Sequence, residues 1–163
     1  MRVLKQLITM ICLMLLANCV KMEKSDTNNN FIEIYQREIC DKYSLYANTK
    51  DINGSLSLYT DNAIVNNSAV APILGIDKIK ENFIEWYEST ETINHSAKVI
   101  SAKVFGNEAF AYGSWKVDQI MKDGSKRVER GHWSTHNVKV ENNWKMTIDH
   151  TNDLEFYETR NNE

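Results

Sequence analysis

The chain predicts an α+β domain: helices come first, and a curved antiparallel sheet follows. Three observations carry that prediction. Helical periodicity begins at Phe31, side chains alternate strictly from Glu108, and two short turn sequences separate three strand-like runs near the end of the chain. The 163 residues suffice for one domain with its own core and predict no second one.

In Phe31–Asn48, Ile32, Tyr35, Ile39, Tyr43 and Tyr46 share a stripe, while Glu33, Arg37, Glu38, Asp41 and Lys42 fall mostly off it. A break at Asn48–Asp51 follows, with Asp51 placed to cap a short second helix, Ile52–Tyr59, that turns Leu58 and Tyr59 toward a core. Thr60-Asp61-Asn62 leads into a brief strand, Ala63–Asn67. After the single proline, Pro72, a third helix over Lys78–Ser89 places Ile79, Phe83, Trp86 and Tyr87 at helical spacing.

Glu91–Phe105 reads as extended, and Gly106-Asn107 turns it into the next run. In Glu108–Met121 one face carries Ala109, Ala111, Gly113, Trp115 and Val117, and its small residues leave room for a helix or a ligand. Asp123-Gly124 is a hairpin signal. The run after it, Arg127–Val140, is long for a strand, and Gly131 is the natural place for it to bend. Glu141-Asn142-Asn143 turns the chain again into Trp144–Thr151. There Trp144, Met146 and Ile148 set a parity that puts His150 on the buried side and Asp149 on the other.

Composition is that of an ordinary globular chain, with 42% hydrophobic and 25% charged residues. The net charge of −3 offers no basic footprint for nucleic acid. The first residues differ from the rest. Arg2 and Lys5 precede an apolar run, Ile8–Ala17, which falls short of the ~20 residues that span a bilayer and has the pattern of a secretory signal peptide. It ends Leu15-Leu16-Ala17-Asn18-Cys19, which resembles the lipobox of bacterial lipoproteins, with Asn18 where Gly, Ala or Ser is usual. That resemblance implies acylation of Cys19 and an extracytoplasmic protein anchored by lipid to a bacterial membrane, in the periplasm or at the cell surface. Losing residues 1–18 removes two of the 19 basic residues and none of the 22 acidic ones, which moves the net charge to −5. Residues 19–30 read as a polar tether, 31–155 as the domain and 156–163 as a tail. With Cys12 in the leader and Cys19 acylated, Cys40 has no disulfide partner and reads as a small buried hydrophobe.

No glycine-rich phosphate loop, nucleophile elbow or Cys-x-x-Cys motif is present. His132 and His136 share a strand face but stand ~13 Å apart at ~3.3 Å per residue, too far to hold one ion, and a His132–His150 pair lacks a third ligand. No metal or cofactor is expected. Trp86, Trp115, Trp133 and Trp144 are candidates to line an aromatic pocket, with two of the four facing a cavity.

From Phe31 to Asn152 the chain resembles the nuclear transport factor 2-like superfamily, in its SnoaL-like and ketosteroid-isomerase-like branch. The carrying residues are Tyr43, Asp51-Ile52, Leu58–Val65, Gly75–Ile79, Ala109–Trp115 and the closing Trp144-Lys145-Met146 with Asp149-His150-Thr151-Asn152. The resemblance implies a cone, a curved sheet wrapped around three helices with a pocket at its wide end, and often a homodimer through the outer sheet face. It also implies an oxyanion donor at Tyr43. The branch's catalytic aspartates fall on Asn67 and Gly131, and an amide at Asn67 cannot take a proton.

The expected contacts are then Tyr43, Tyr59, Asn67, Trp86, Trp115, Trp133 and His150, with Tyr43 and His150 the candidate catalytic pair. The function expected first is a membrane-anchored binding module that holds a small apolar molecule or a protein partner without the isomerase base. The alternative is an isomerase, cyclase or hydratase that uses Tyr43 and His150.

Overall fold

The computed structural model describes residues 30–68 and 70–159. The leader, Cys19 and the tether up to residue 29 lie outside the described residues, as do 160–163 of the expected tail. Among the described residues no helix is long and apolar enough to cross a membrane.

Helix α1 covers residues 30–49. Its apolar stripe buries Phe31, Tyr35, Ile39, Cys40 and Ala47. Gln36–Cys40 form a π-helical turn, closed by Asp41 N–H donating to the Gln36 carbonyl. The extra residue rotates the stripe, so Ile39 and Cys40 both face inward and Tyr43 is half-buried at the edge of the core. Lys50, in the left-handed region, ends α1. Helix α2 is Ile52–Ser57, and Asp51 caps it by accepting from Gly54 N–H at 2.9 Å. Asp51→Ala is expected to lower stability by about 1 kcal/mol in urea denaturation without changing the cavity described below. Helix α3 is Ile76–Ser89, and it buries Ile79, Phe83 and Tyr87.

Six strands follow the order β2-β1-β6-β5-β4-β3 in one sheet. They are β1 Tyr59–Asn66, β2 Ile73–Leu74, β3 Thr90–Phe105, β4 Glu108–Met121, β5 Lys126–Val140 and β6 Asn143–Thr159. The β1–β6 pair is parallel and the other pairs are antiparallel. Tyr59 therefore opens a strand and does not close α2. Strand β6 runs past the expected boundary at residue 155, with Phe156 to Thr159 paired to β5.

Two side chains on α1 dock it against β3. Gln36 accepts from Val99 N–H (2.9 Å) and donates to the Ala97 carbonyl (3.0 Å), beside a register shift between Val99 and Ser101. Asn48 accepts from His95 N–H (2.6 Å) and donates to the His95 carbonyl (3.2 Å). Each amide stands in for a neighbouring strand, satisfying backbone groups that an edge strand otherwise leaves open.

The alternation in β4 holds: Ala109, Ala111, Gly113 and Val117 are buried. At Gly113 a Cβ would overlap the Lys98 carbonyl and the Trp133 ring, so the missing side chain is what lets β3 and Trp133 close in. Gly131 sits where the β5–β6 register shifts, as a bend there requires.

A second shift in β6 changes the expected parity. His136 pairs with Ile148, and Asn137 pairs with Met146, leaving Thr147 as an extra residue. Met146 points inward at 2% exposure, Ile148 is 40% exposed, and Asp149 is buried at 8%. The expected orientation of Asp149 and His150 is thus reversed, because one bulged residue exchanges the two faces of everything after it.

Candidate functional site

Between α1, α3 and the concave face of the sheet lies a cavity of about 340 Å³. That is at the small end of the ~300–1,000 Å³ typical of ligand sites. Its walls are aromatic. Tyr35 stacks on Trp133 (5.8 Å between rings, 19°), Phe83 on Trp86 (6.4 Å, 28°), and Tyr43 tilts against Phe83 (6.1 Å).

Of the seven contacts expected from the sequence, Tyr43, Tyr59, Asn67, Trp86, Trp115 and Trp133 stand in the cavity wall. His150 does not. It is exposed on the outer face of the sheet, opposite Ser134, because of the bulge at Thr147. The pairing of Tyr43 with His150 is therefore corrected: the two lie on opposite faces of the sheet and cannot share a substrate. Three of the four tryptophans reach the cavity, and the fourth, Trp144, packs edge-on against Phe31 at 4.9 Å.

The polar groups form two sets. In the first, Tyr35 donates to Asn137 Oδ1 (3.0 Å) and bonds Thr135 Oγ1 (2.7 Å), and Asn137 Nδ2 returns to Thr135 Oγ1 (2.9 Å). These partners satisfy one another, so the set holds α1 on β5. In the second, Tyr59 donates to Asp149 Oδ2 at 2.7 Å, and the Tyr43 hydroxyl lies against that of Tyr59. Burial raises the Asp149 carboxyl above its ordinary range, an effect that the Tyr59 hydrogen bond and nearby His150 oppose. Burial also pushes the Tyr43 and Tyr59 hydroxyls well up, so both are neutral donors at physiological pH. Asp149 Oδ1 has no hydrogen-bond partner among the described residues.

Across Tyr43 sits His95 of β3, which the sequence reading did not single out. Its ring lies 5.0 Å from that of Tyr43, and Nδ1 is 3.1 Å from Ser44 Oγ. His95 is buried at 8% exposure, and desolvation brings its pKa down to about 4. The sign of the resulting pH effect follows from linkage. The unfolded chain protonates this imidazole near pH 6.5 and the folded chain only near 4. Stability associated with His95 is therefore complete above pH 6.5 and falls by about 3 kcal/mol as pH drops to 4. His95→Gln is expected to flatten that acid limb in urea titrations at pH 4, 5.5 and 7.

At the rim, Trp86 Nε1 donates to Gln119 Oε1 (2.8 Å) and Gln119 Nε2 to Glu129 Oε1 (2.9 Å). Burial, and then Asp153, raise the Glu129 carboxyl. Asn67 accepts from Thr151 at 3.1 Å. The space a side chain would need at Gly131 is filled by the Asn152 carbonyl and the Trp115 indole, so no second carboxyl fits there. Trp115 Nε1 is buried without a partner. Among the described residues no three His, Cys, Asp or Glu converge as metal ligands do.

One signal in the sequence points to His95. Ile93, His95, Ala97 and Val99 share one phase of β3, and Ile93 and Val99 are buried. No comparable signal points to Asp149.

No protein-family profile matches the chain, and neither does any curated protein. Solved structures do match. A candidate scytalone dehydratase from Novosphingobium aromaticivorans aligns with a TM-score of 0.70 at 15% identity, over 89% of this chain and 91% of that one. A ketosteroid isomerase-like protein from Erwinia carotovora atroseptica aligns at 0.60 with 17% identity, over 70% and 89%. A nuclear transport factor 2-like superfamily protein from Salmonella enterica serovar Typhimurium aligns at 0.66 with 16% identity, over 78% and 93%. With its three helices held inside an open, curved six-stranded sheet, the chain has the nuclear transport factor 2-like fold.

Proposed function

We propose that the cone binds a compact cyclic molecule and moves a proton on it, in an isomerisation or an elimination. The observation that carries this reading is Asp149: a buried carboxyl, bonded on one oxygen by Tyr59, whose other oxygen meets an aromatic cavity. A carboxyl that burial raises above its ordinary range holds its proton to higher pH than a surface aspartate does, which suits it better to giving or taking one. Tyr43 adds a neutral donor for an oxygen that gains charge during the reaction. Two of the structural neighbours support the class of chemistry by their descriptions, one as a candidate dehydratase and one as ketosteroid isomerase-like.

A binding module without turnover is the second reading. Asn67, an amide in the wall where the branch places its base, favours it. Asp149→Asn separates the two. If the site is catalytic, turnover of cyclic ketone or alcohol substrates falls ~10²–10⁴-fold while binding persists. A wild-type protein that binds such molecules and turns none over would leave the binding reading alone.

The proposal includes an extracytoplasmic site, with the mature chain held to the membrane by acyl chains on Cys19. Cys19→Ser is expected to move the protein from the detergent phase to the soluble fraction, with a mature mass lacking acyl chains. A second copy is proposed to cover the outer sheet face, where Phe110, Tyr112 and Ile148 are exposed. Sedimentation showing a monomer at every concentration would remove that part.

A further inference from the structure

The acids and bases in the cavity wall do not balance. Among the described residues three acids line it, Asp149, Asp153 and Glu129, against two bases, Arg127 and His95. Asp149 is 8% exposed, and its Oδ1 has no hydrogen-bond partner among the described residues. Asp153 stands four residues on along the same face of β6, about 13 Å away at the open mouth. Glu129 lies diagonal to it on β5, and Gln119 Nε2 fixes it by donating to Oε1 at 2.9 Å. Neither base offsets these groups. Arg127 already faces Glu158, with Nε 3.6 Å from Oε1. His95 is neutral, since burial brings its pKa down to about 4. The tautomer is set as well: Ser44 gives its single proton to the Cys40 carbonyl at 2.8 Å, so its oxygen accepts from His95 Nδ1–H at 3.1 Å. Aromatic surface meets the acids at the mouth. The Trp115 indole covers Gly131, the residue opposite Asp153, and Trp86 donates to the Gln119 that holds Glu129.

We infer that the ligand of this cavity is a cyclic organic cation, whose ammonium group sits at the mouth between Glu129 and Asp153 and whose ring enters the aromatic hollow. The inference rests on the reading of the cavity as a site for a compact cyclic molecule and adds the charge that molecule carries; it does not depend on turnover. A carboxylate or phosphate would meet like charge at the mouth, and a neutral ring would leave the acids unanswered. An ammonium group makes charge-assisted hydrogen bonds to carboxylates and is attracted to the faces of indole rings. Both contacts gain strength where protein displaces water. Burial, and then Asp153, hold the Glu129 carboxyl above its ordinary range, and a cation beside the two favours the charged form of each. With the charge held at the mouth, the ring lies toward Asp149, whose open oxygen is left for the proton chemistry proposed above.

Three molecules with one ring and different charge test this: 2-aminoindane, 2-indanol and indane-2-carboxylate, each titrated at neutral pH and followed by tryptophan fluorescence. The amine is expected to bind ~10-fold or more tighter than the alcohol, and the carboxylate more weakly than either. Added salt is expected to weaken the amine and leave the alcohol unchanged. Glu129→Gln and Asp153→Asn are each expected to lose most of the amine's advantage, with the alcohol's affinity retained as the sign of an intact fold. Glu33→Gln, on the exposed side of α1, is the control for net charge and is expected to change neither. An alcohol that binds as tightly as the amine, or a carboxylate that binds more tightly, would overturn the inference. So would an advantage that survives both mouth variants and disappears in Asp149→Asn, or no binding of any of the three. Turnover is read separately. An amine preference without proton exchange on 2-indanone leaves the inference standing and removes the proton-transfer function; exchange without an amine preference does the reverse.

Discussion

Asp149→Asn is expected to remove turnover and at the same time make the protein more stable above pH 7. The amide keeps the shape of the carboxyl and still accepts from Tyr59, but it has no proton to exchange and no charge to bury. In the wild type the folded carboxyl titrates above its unfolded value. Its contribution is therefore fully present below the unfolded value, near pH 3.8, and is lost as pH rises through the folded one. The variant escapes that loss. The gap in Tm between variant and wild type is expected to be small at pH 4 and to widen in favour of the variant at pH 8. His95 acts with the opposite sign, but it does so in both proteins and cancels in the difference. A variant less stable than wild type at pH 8 would mean that Asp149 is an ordinary structural carboxylate. Stability given up for function at a single buried group is the pattern expected of a working site.

The second large effect is structural. Gly113→Ala is expected to cost ~3 kcal/mol or more in urea denaturation, since the added methyl meets the Lys98 carbonyl and the Trp133 ring with nothing flexible to move aside. Against a typical stability of ~5–15 kcal/mol, that is enough to reduce soluble yield. Gly106→Ala is the control. It has a positive φ of 65° but no neighbouring atom within 4 Å, so it carries backbone strain of about 1 kcal/mol and no overlap. Equal losses at the two positions would contradict the account of how β3, β4 and Trp133 close together.

The two predictions also mark where the sequence could be read and where it could not. Alternation along β4 places Gly113 and its neighbours on the concave face correctly, because a period of two survives as long as a strand pairs without interruption. The same rule applied to β6 fails after Met146. A bulge consumes one residue, and Thr147-Ile148-Asp149-His150 contains no glycine or other marker to announce it. The consequence reaches the chemistry: the aspartate enters the cavity and the histidine leaves it. The π-helical turn at Gln36–Cys40 is similar, since helical spacing predicts the stripe but not the added residue that brings Cys40 inward beside Ile39. His95 was open to a reading by phase along β3. Its tautomer was not, because that depends on Ser44 and Cys40, more than fifty residues earlier in the chain. Tyr43, Tyr59 and the three cavity tryptophans were accessible because large aromatics near a sheet's concave face have few other places to go.

The central claim is that the hollow of the cone holds a carboxyl made reactive by burial and still open to a ligand. Titration of ¹³C-labelled aspartate by NMR, with and without 2-indanone, tests it most directly. The account predicts an Asp149 signal with its midpoint above the other aspartates, which shifts when the ketone is added. A midpoint among the other aspartates and a signal unmoved by the ketone would contradict it.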